Sequence, residues 1–143
     1  MPVDLRHFGR YDLTRRVSLG GMAEVFKAKC YIEGRLEKIV ALKRLLPNVA
    51  EDQQFIDMFL QEAKLAARLE HPNICRIYEL GKVGPSYYIT MEYLYGRDLR
   101  AVLKALKKSD RQIEPRIAAW IGAQVAEGLS YAYLRDDEEG EPM

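Results

Sequence analysis

Apolar positions along this chain follow two periods in succession. Tyr11, Leu13 and Val17 alternate with polar residues, and a spacing of two predicts a strand. Gly20-Gly21 interrupts it, and residues 25–31 resume as a second strand. Glu33-Gly34-Arg35 reads as a turn, and residues 39–42 as a third strand. The period then changes. From about Asp52 to Leu69 the apolar residues Phe55, Met58, Phe59, Leu65, Ala66 and Leu69 recur at helical spacing. His71-Pro72-Asn73 stops that helix, because the residue before a proline is pushed out of the helical region. Strands at 74–80 and 87–91 follow, joined by a turn at 82–85. A helix over 99–107 with Asp98 as its N-cap comes next, and a last helix runs from about Pro115 to Leu134. Three strands, a helix, two strands and then helices alone predict an α+β chain, a sheet-and-helix lobe followed by the start of a helical one.

Two charges break this pattern. Lys43 closes the apolar run 39–42 and shares a strand face with Ala41. Glu62 lies seven residues from both Phe55 and Leu69, on the face of the helix that also carries Met58, Leu65 and Ala66. A carboxylate there is buried or nearly so, and burying one without a partner costs several kcal/mol. Alternatively, Glu62 sits at the margin of the stripe and reaches solvent, and Lys43 packs its stem and keeps its head wet. Taken together, the two point to an ion pair between the third strand and the helix. Gly20-Gly21 adds a turn whose backbone N–H groups could approach an anion that Lys43 also reaches, although most such turns are simple hairpins.

Composition narrows the function classes. The 143 residues carry a net charge of +1, so no overall field favours nucleic acid or an anionic membrane. Cys30, Cys75, His7 and His71 are scattered and form no metal pattern; both cysteines read as buried free thiols. Residues 1–10 carry charge and no apolar run, so no signal peptide is visible. The apolar stretch 117–134 is broken by Gln124, Glu127 and Ser130, which suits a buried helix rather than a membrane span. The expectation is a soluble, cytoplasmic chain with no membrane segment and no nucleic-acid partner.

The ordered set of features resembles the protein-kinase signature, in its bacterial Ser/Thr branch. Val17-Ser18-Leu19-Gly20-Gly21-Met22-Ala23-Glu24-Val25 resembles the family's Gly-rich loop, and Val40-Ala41-Leu42-Lys43 its strand-three motif. Glu62 falls nineteen residues after Lys43, where the family has its helix-C glutamate. His71-Pro72-Asn73-Ile74 looks like the connector that follows, and Met91-Glu92-Tyr93-Leu94 like the hinge. The resemblance implies a kinase N-lobe over 1–90, with a five-stranded antiparallel sheet and helix C. A hinge over 91–97 and the first helices of the C-lobe, D and E, over 98–143 would follow. It implies ATP as cofactor. Lys43 would hold the α- and β-phosphates and Glu62 would orient it. Val25 and Ala41 would pack on the adenine under Val17, and Ser18, Leu19, Gly20, Gly21, Met22 and Ala23 would form the phosphate loop. Glu92 and Leu94 would offer main-chain hydrogen bonds, Met91 would stand as gatekeeper, and Asp98 would reach the ribose. Ala66 and Ile77 would continue a hydrophobic spine behind Glu62. Ser18 and Ala23 stand where the family has its first and third loop glycines, and a positive φ at Ala23 would cost about 1–2 kcal/mol.

The family's catalytic aspartate and its magnesium ligands are expected beyond this chain. Arg135-Asp136 is not the family's catalytic loop, because Glu138 and Glu141 occupy the positions of its lysine and asparagine. Residues 136–140 read as an acidic loop before it. No catalytic or metal-binding residue is therefore assigned within 1–143. The partners expected are the remainder of the kinase domain and a protein substrate. Residues 1–143 alone are expected to be inactive and to expose the apolar helix 117–134. The competing reading is a non-catalytic nucleotide-binding or scaffold module related to kinases. An unrelated small α+β binding domain is the third.

Overall fold

A computed structural model describes residues 7–135, and these fall into two compact units. One comprises residues up to 70 together with 75–93; the other comprises 71–74 and the chain from 94 onward. The expectations for residues 1–6 and for the acidic loop from Asp136 lie outside the described residues.

The first unit is built on an antiparallel sheet of β1 (His7–Phe8), β2 (Tyr11–Leu19), β3 (Ala23–Ile32), β4 (Arg35–Leu45), β5 (Ile77–Val83) and β6 (Ser86–Glu92), in the order β1-β2-β3-β4-β6-β5. The five predicted strands are all present. The sixth, β1, is two residues long and too short to show any alternation in sequence. Gly9 makes the turn into β2 at φ 59°.

Alternation sorts β3 and β4 cleanly between two faces. Phe26 pairs with Leu42 and Ala28 with Val40, and all four lie in a core with Phe8, Tyr11, Leu13, Cys30 and Tyr88. The opposite face carries Ala23, Leu45 and Ile89 and is covered by α1 (Gln53–Ala66) through Ile56, Phe59 and Ala63. Asp52 caps α1, its carboxylate accepting from the Gln54 N–H at 2.9 Å.

The buried stripe of α1 is thus 56/59/63: of the expected Phe55, Met58, Phe59, Leu65, Ala66 and Leu69, Phe59 is buried and the others are not. Met58 and Leu65 are exposed. Both patterns have helical spacing, but the phase was set by where the sheet lies, which the sequence does not encode locally. Glu62 stands beside the true stripe and is exposed, not buried.

Two further corrections concern ends. β5 begins at Ile77, because His71–Ile74 folds as a turn within the second unit, and the β5–β6 turn is confined to Gly84-Pro85 with Gly84 at φ 55°. Cys30 is buried as expected, but Cys75 is only half-buried.

A polar cluster ties the β1–β2 corner to the far side of the sheet. The Glu79 carboxylate accepts from Tyr11 at 2.7 Å, from Tyr88 at 3.0 Å and from the Arg10 guanidinium. These donors hold the Glu79 carboxyl below its ordinary range against the opposing effect of burial, and burial first, then Glu79, pushes the Tyr88 phenol up. Tyr88 is fixed between the Phe8 and Tyr11 rings, at 5.4 and 5.5 Å between centroids. A Cβ at Gly81 would meet that ring at 2.5 Å. Because the ring is locked on three sides, Gly81→Ala is expected to destabilise the chain by about 1–3 kcal/mol, read as a lowered denaturant midpoint. A midpoint equal to wild type would show that Tyr88 yields.

The second unit holds α2 (Leu99–Lys108) and α3 (Pro115–Tyr133). Asp98 caps α2, accepting from the Ala101 N–H at 2.7 Å. His71–Ile74 is fastened to α3. Asn73 donates from its amide nitrogen to the Gln124 carbonyl at 3.0 Å, His71 stacks on Tyr131, and Gly128 leaves room for the Asn73 backbone. Gly128 is the only buried residue of α3, while Trp120, Val125, Leu129 and Tyr133 are exposed. None of the described helices is long and apolar enough to cross a membrane.

Candidate nucleotide site

The register of the sheet sets the site. Val25 pairs with Lys43, which pairs with Ile89; Lys27 pairs with Ala41, which pairs with Met91. These two rows lie on the sheet face that α1 covers in part, so Val25, Ala41, Lys43 and Met91 share one face. Met91 packs against the core beneath α1.

Across from these rows, the Lys43 ammonium donates to the Glu62 carboxylate, with Nζ to Oε1 at 2.7 Å. The side chain of Lys43 is 19% exposed and that of Glu62 is 51% exposed. Lys43 Nζ also lies 5.7 Å from the centroid of the fully buried Phe59 ring. The stranded lysine and the stranded glutamate therefore do pair, but through the more open of the two arrangements that the sequence allowed.

The Gly-rich turn is tighter than its sequence suggests. The Gly20 N–H donates to the Ala23 carbonyl at 2.8 Å, so that donor is already used within the turn. A Cβ on Gly21 would meet nothing within 4 Å, and this is the open part of the loop. Ala23 opens β3, and among the described non-glycine residues positive φ is found only at Glu33 and Asp110, so the strain foreseen at Ala23 is absent. Val17 and Leu19 are exposed, Ser18 pairs with Val25, and Met22 packs against the core under α1.

At the end of β6, the Glu92 N–H donates to the Arg76 carbonyl at 2.9 Å, and the Glu92 carbonyl accepts from the Cys75 thiol at 3.5 Å. Leu94 and Asp98 belong to the second unit; Leu94 is exposed and Asp98 is the α2 cap.

Three side chains near this site had no role assigned from the sequence: Arg15, Lys27 and Tyr93, the last named only as part of the hinge. Arg15 donates to the Tyr93 hydroxyl at 3.1 Å, and Lys27 Nζ stands 4.9 Å from the Tyr93 ring centroid. A regular strand would put Arg15 on the other face, and only the bulge at Thr14 brings it here.

The sequence profile described as "Protein kinase domain" matches residues 11–136. The chain is 38% identical over 139 residues to the tyrosine-protein kinase MasK of Myxococcus xanthus, which covers 97% of this chain and 22% of that protein. It is 37% identical to the serine/threonine-protein kinase PrkC of Bacillus subtilis, over 93% of this chain and 19% of that protein. Among solved structures, the PknI kinase domain of M. tuberculosis superposes with a TM-score of 0.71 at 26% identity. That superposition covers 98% of this chain and 56% of the other. The chain thus spans about a fifth of the length of the curated relatives and just over half of the solved domain.

Proposed function

The chain belongs to the protein kinase family, and from that premise we propose that it is the ATP-binding portion of a kinase that transfers the γ-phosphate of ATP to serine or threonine hydroxyls of a protein. The observation that carries the reading is the 2.7 Å pair of Lys43 and Glu62, which joins β4 to α1 on the face that also presents Val25, Ala41 and Met91.

The residues fit the nucleotide in kind. Val25 and Ala41 offer an apolar surface to the adenine, with Met91 behind it, and Val17, exposed in β2, would close over it. The Glu92 carbonyl offers an acceptor at the adenine edge, and Leu94 a main-chain group beyond it. Lys43 supplies a point positive charge for the α- and β-phosphates, and Glu62 restricts the lysine to one of its many rotamers. Ser18, Leu19, Gly20, Gly21, Met22 and Ala23 would cover the phosphates, chiefly through backbone at the open Gly21. By the family resemblance, Asp98 would serve the ribose. Magnesium accompanies ATP in this family, but among the described residues no three His, Cys, Asp or Glu side chains converge to hold it.

Residues up to 90 would act as the N-lobe, 91–97 as the hinge, and 98 onward as the start of the C-lobe. The relatives differ in acceptor: MasK is a tyrosine kinase and PrkC a serine/threonine kinase. Incubating the full-length protein with ATP and a mixed protein substrate, then identifying the phosphorylated residues, is expected to give phosphoserine and phosphothreonine. Phosphotyrosine alone would overturn the acceptor, and no phosphoryl transfer at all would favour the non-catalytic module. The 143-residue chain by itself is expected to transfer none.

A further inference from the structure

The segment that leaves β6 is held to the sheet by a device that the sequence hides. In β2, Leu13 pairs with Ala28 and the next paired residue is Arg15, opposite Lys27, so Thr14 is an extra residue. Its hydroxyl donates to the Lys27 carbonyl at 2.9 Å and closes the bulge. A one-residue insertion turns the side chains after it to the other face, and here it turns Arg15 onto the face of Val25, Lys27 and Ala41 before a second shift between Arg16 and Ser18 restores the phase. Both cations then meet one aromatic side chain. Arg15 donates to the Tyr93 hydroxyl at 3.1 Å, and the Lys27 ammonium lies over the Tyr93 ring. Tyr93 is half-buried and directly follows Glu92, whose carbonyl is the proposed adenine acceptor.

We propose that Arg15, Lys27 and Tyr93 form a latch that positions the backbone at Glu92 for the adenine edge, making all three positioning residues for nucleotide binding. The inference rests on the ATP-binding reading above. Its physical basis is preorganisation: a segment already held in its binding conformation loses less entropy when the ligand arrives. A guanidinium–phenol hydrogen bond and an exposed cation–π contact together bear on affinity by about tenfold. Both contacts end on Tyr93, beside Glu92, so the latch acts on affinity and leaves the chemical step to other groups.

The test is isothermal titration of the full-length protein with ATP, alongside steady-state kinetics and a thermal melt. Tyr93→Ala is expected to raise the ATP Kd about tenfold, and Tyr93→Phe, which keeps the ring over Lys27, about threefold, with the change appearing mainly in KM. In a double-mutant cycle, Arg15→Ala is expected to add nothing in the Tyr93→Ala background, because its partner is already gone. Equal Kd values for wild type and Tyr93→Ala, or effects of Arg15 and Tyr93 that simply add, would overturn the latch. If Tyr93→Ala does not fold, Tyr93→Phe and Arg15→Ala carry the same test. Wild-type protein that binds no ATP would instead bring down the nucleotide reading and the latch with it, whereas tight binding that only Lys43→Ala disturbs would bring down the latch alone.

Discussion

Replacing Lys43 by alanine is expected to abolish measurable ATP binding and to lower kcat/KM of the full-length protein by about a hundredfold or more, the scale on which removing one preorganised charge from a transition state acts. The fold should survive. Although Lys43 is mostly covered, half of the Glu62 side chain is open to water, and an ion pair with one partner so exposed contributes no more than about 1 kcal/mol. A pair worth so little to stability yet drawn in to 2.7 Å across two elements is better explained by what it holds than by what it stabilises. Circular dichroism and a melt within a few degrees of wild type should therefore accompany the lost activity. Unchanged affinity for ATP would show that Lys43 was misassigned.

The second large effect lies beneath that pair. Phe59 is fully buried between the sheet and α1, in a core with Ala23, Leu45, Ile56, Ala63 and Ile89. Phe59→Ala removes a ring from a packed site and is expected to cost about 3–5 kcal/mol, measured by denaturant unfolding. That is a large share of the total stability of a domain of this size, so the variant should lie near its folding threshold at physiological temperature. Glu62 is one turn further along α1, and loosening the helix should release it from Lys43. Nucleotide affinity is thus expected to fall even under conditions where the variant is still folded. A loss below about 1 kcal/mol would mean that α1 is not anchored through this ring.

Much of the architecture was legible because its causes are local. Alternation marked β2, short apolar stretches between turn residues marked β3, β4 and β6, the cap at Asp98 and the proline at 115 marked α2 and α3, and two misplaced charges marked the Lys43–Glu62 pair. What was not legible depends on contacts between distant parts of the chain. The phase of α1 follows from where the sheet sits, so Ile56 and Ala63 join Phe59 in the buried stripe in place of Met58 and Leu65, and Glu62 stands at its margin. β1 is two residues whose pairing depends on Gly9. The Glu79 cluster joins residues 68 and 69 positions apart, and no spacing rule connects them. The latch around Tyr93 was hidden by the bulge at Thr14, since alternation read through that bulge assigns Arg15 to the wrong face.

The claim that Lys43 stands at the phosphates of a bound nucleotide is tested most directly by covalent labelling. An acyl phosphate of ATP or ADP places an electrophilic carbonyl at the end of the phosphate chain. An amine at that position attacks it, forms an amide and releases the nucleotide. Treating the full-length protein with such a reagent and mapping the modified peptides is predicted to give acylation at Lys43 that excess ATP suppresses. Labelling confined to other lysines, or labelling of Lys43 that ATP does not suppress, would contradict the account.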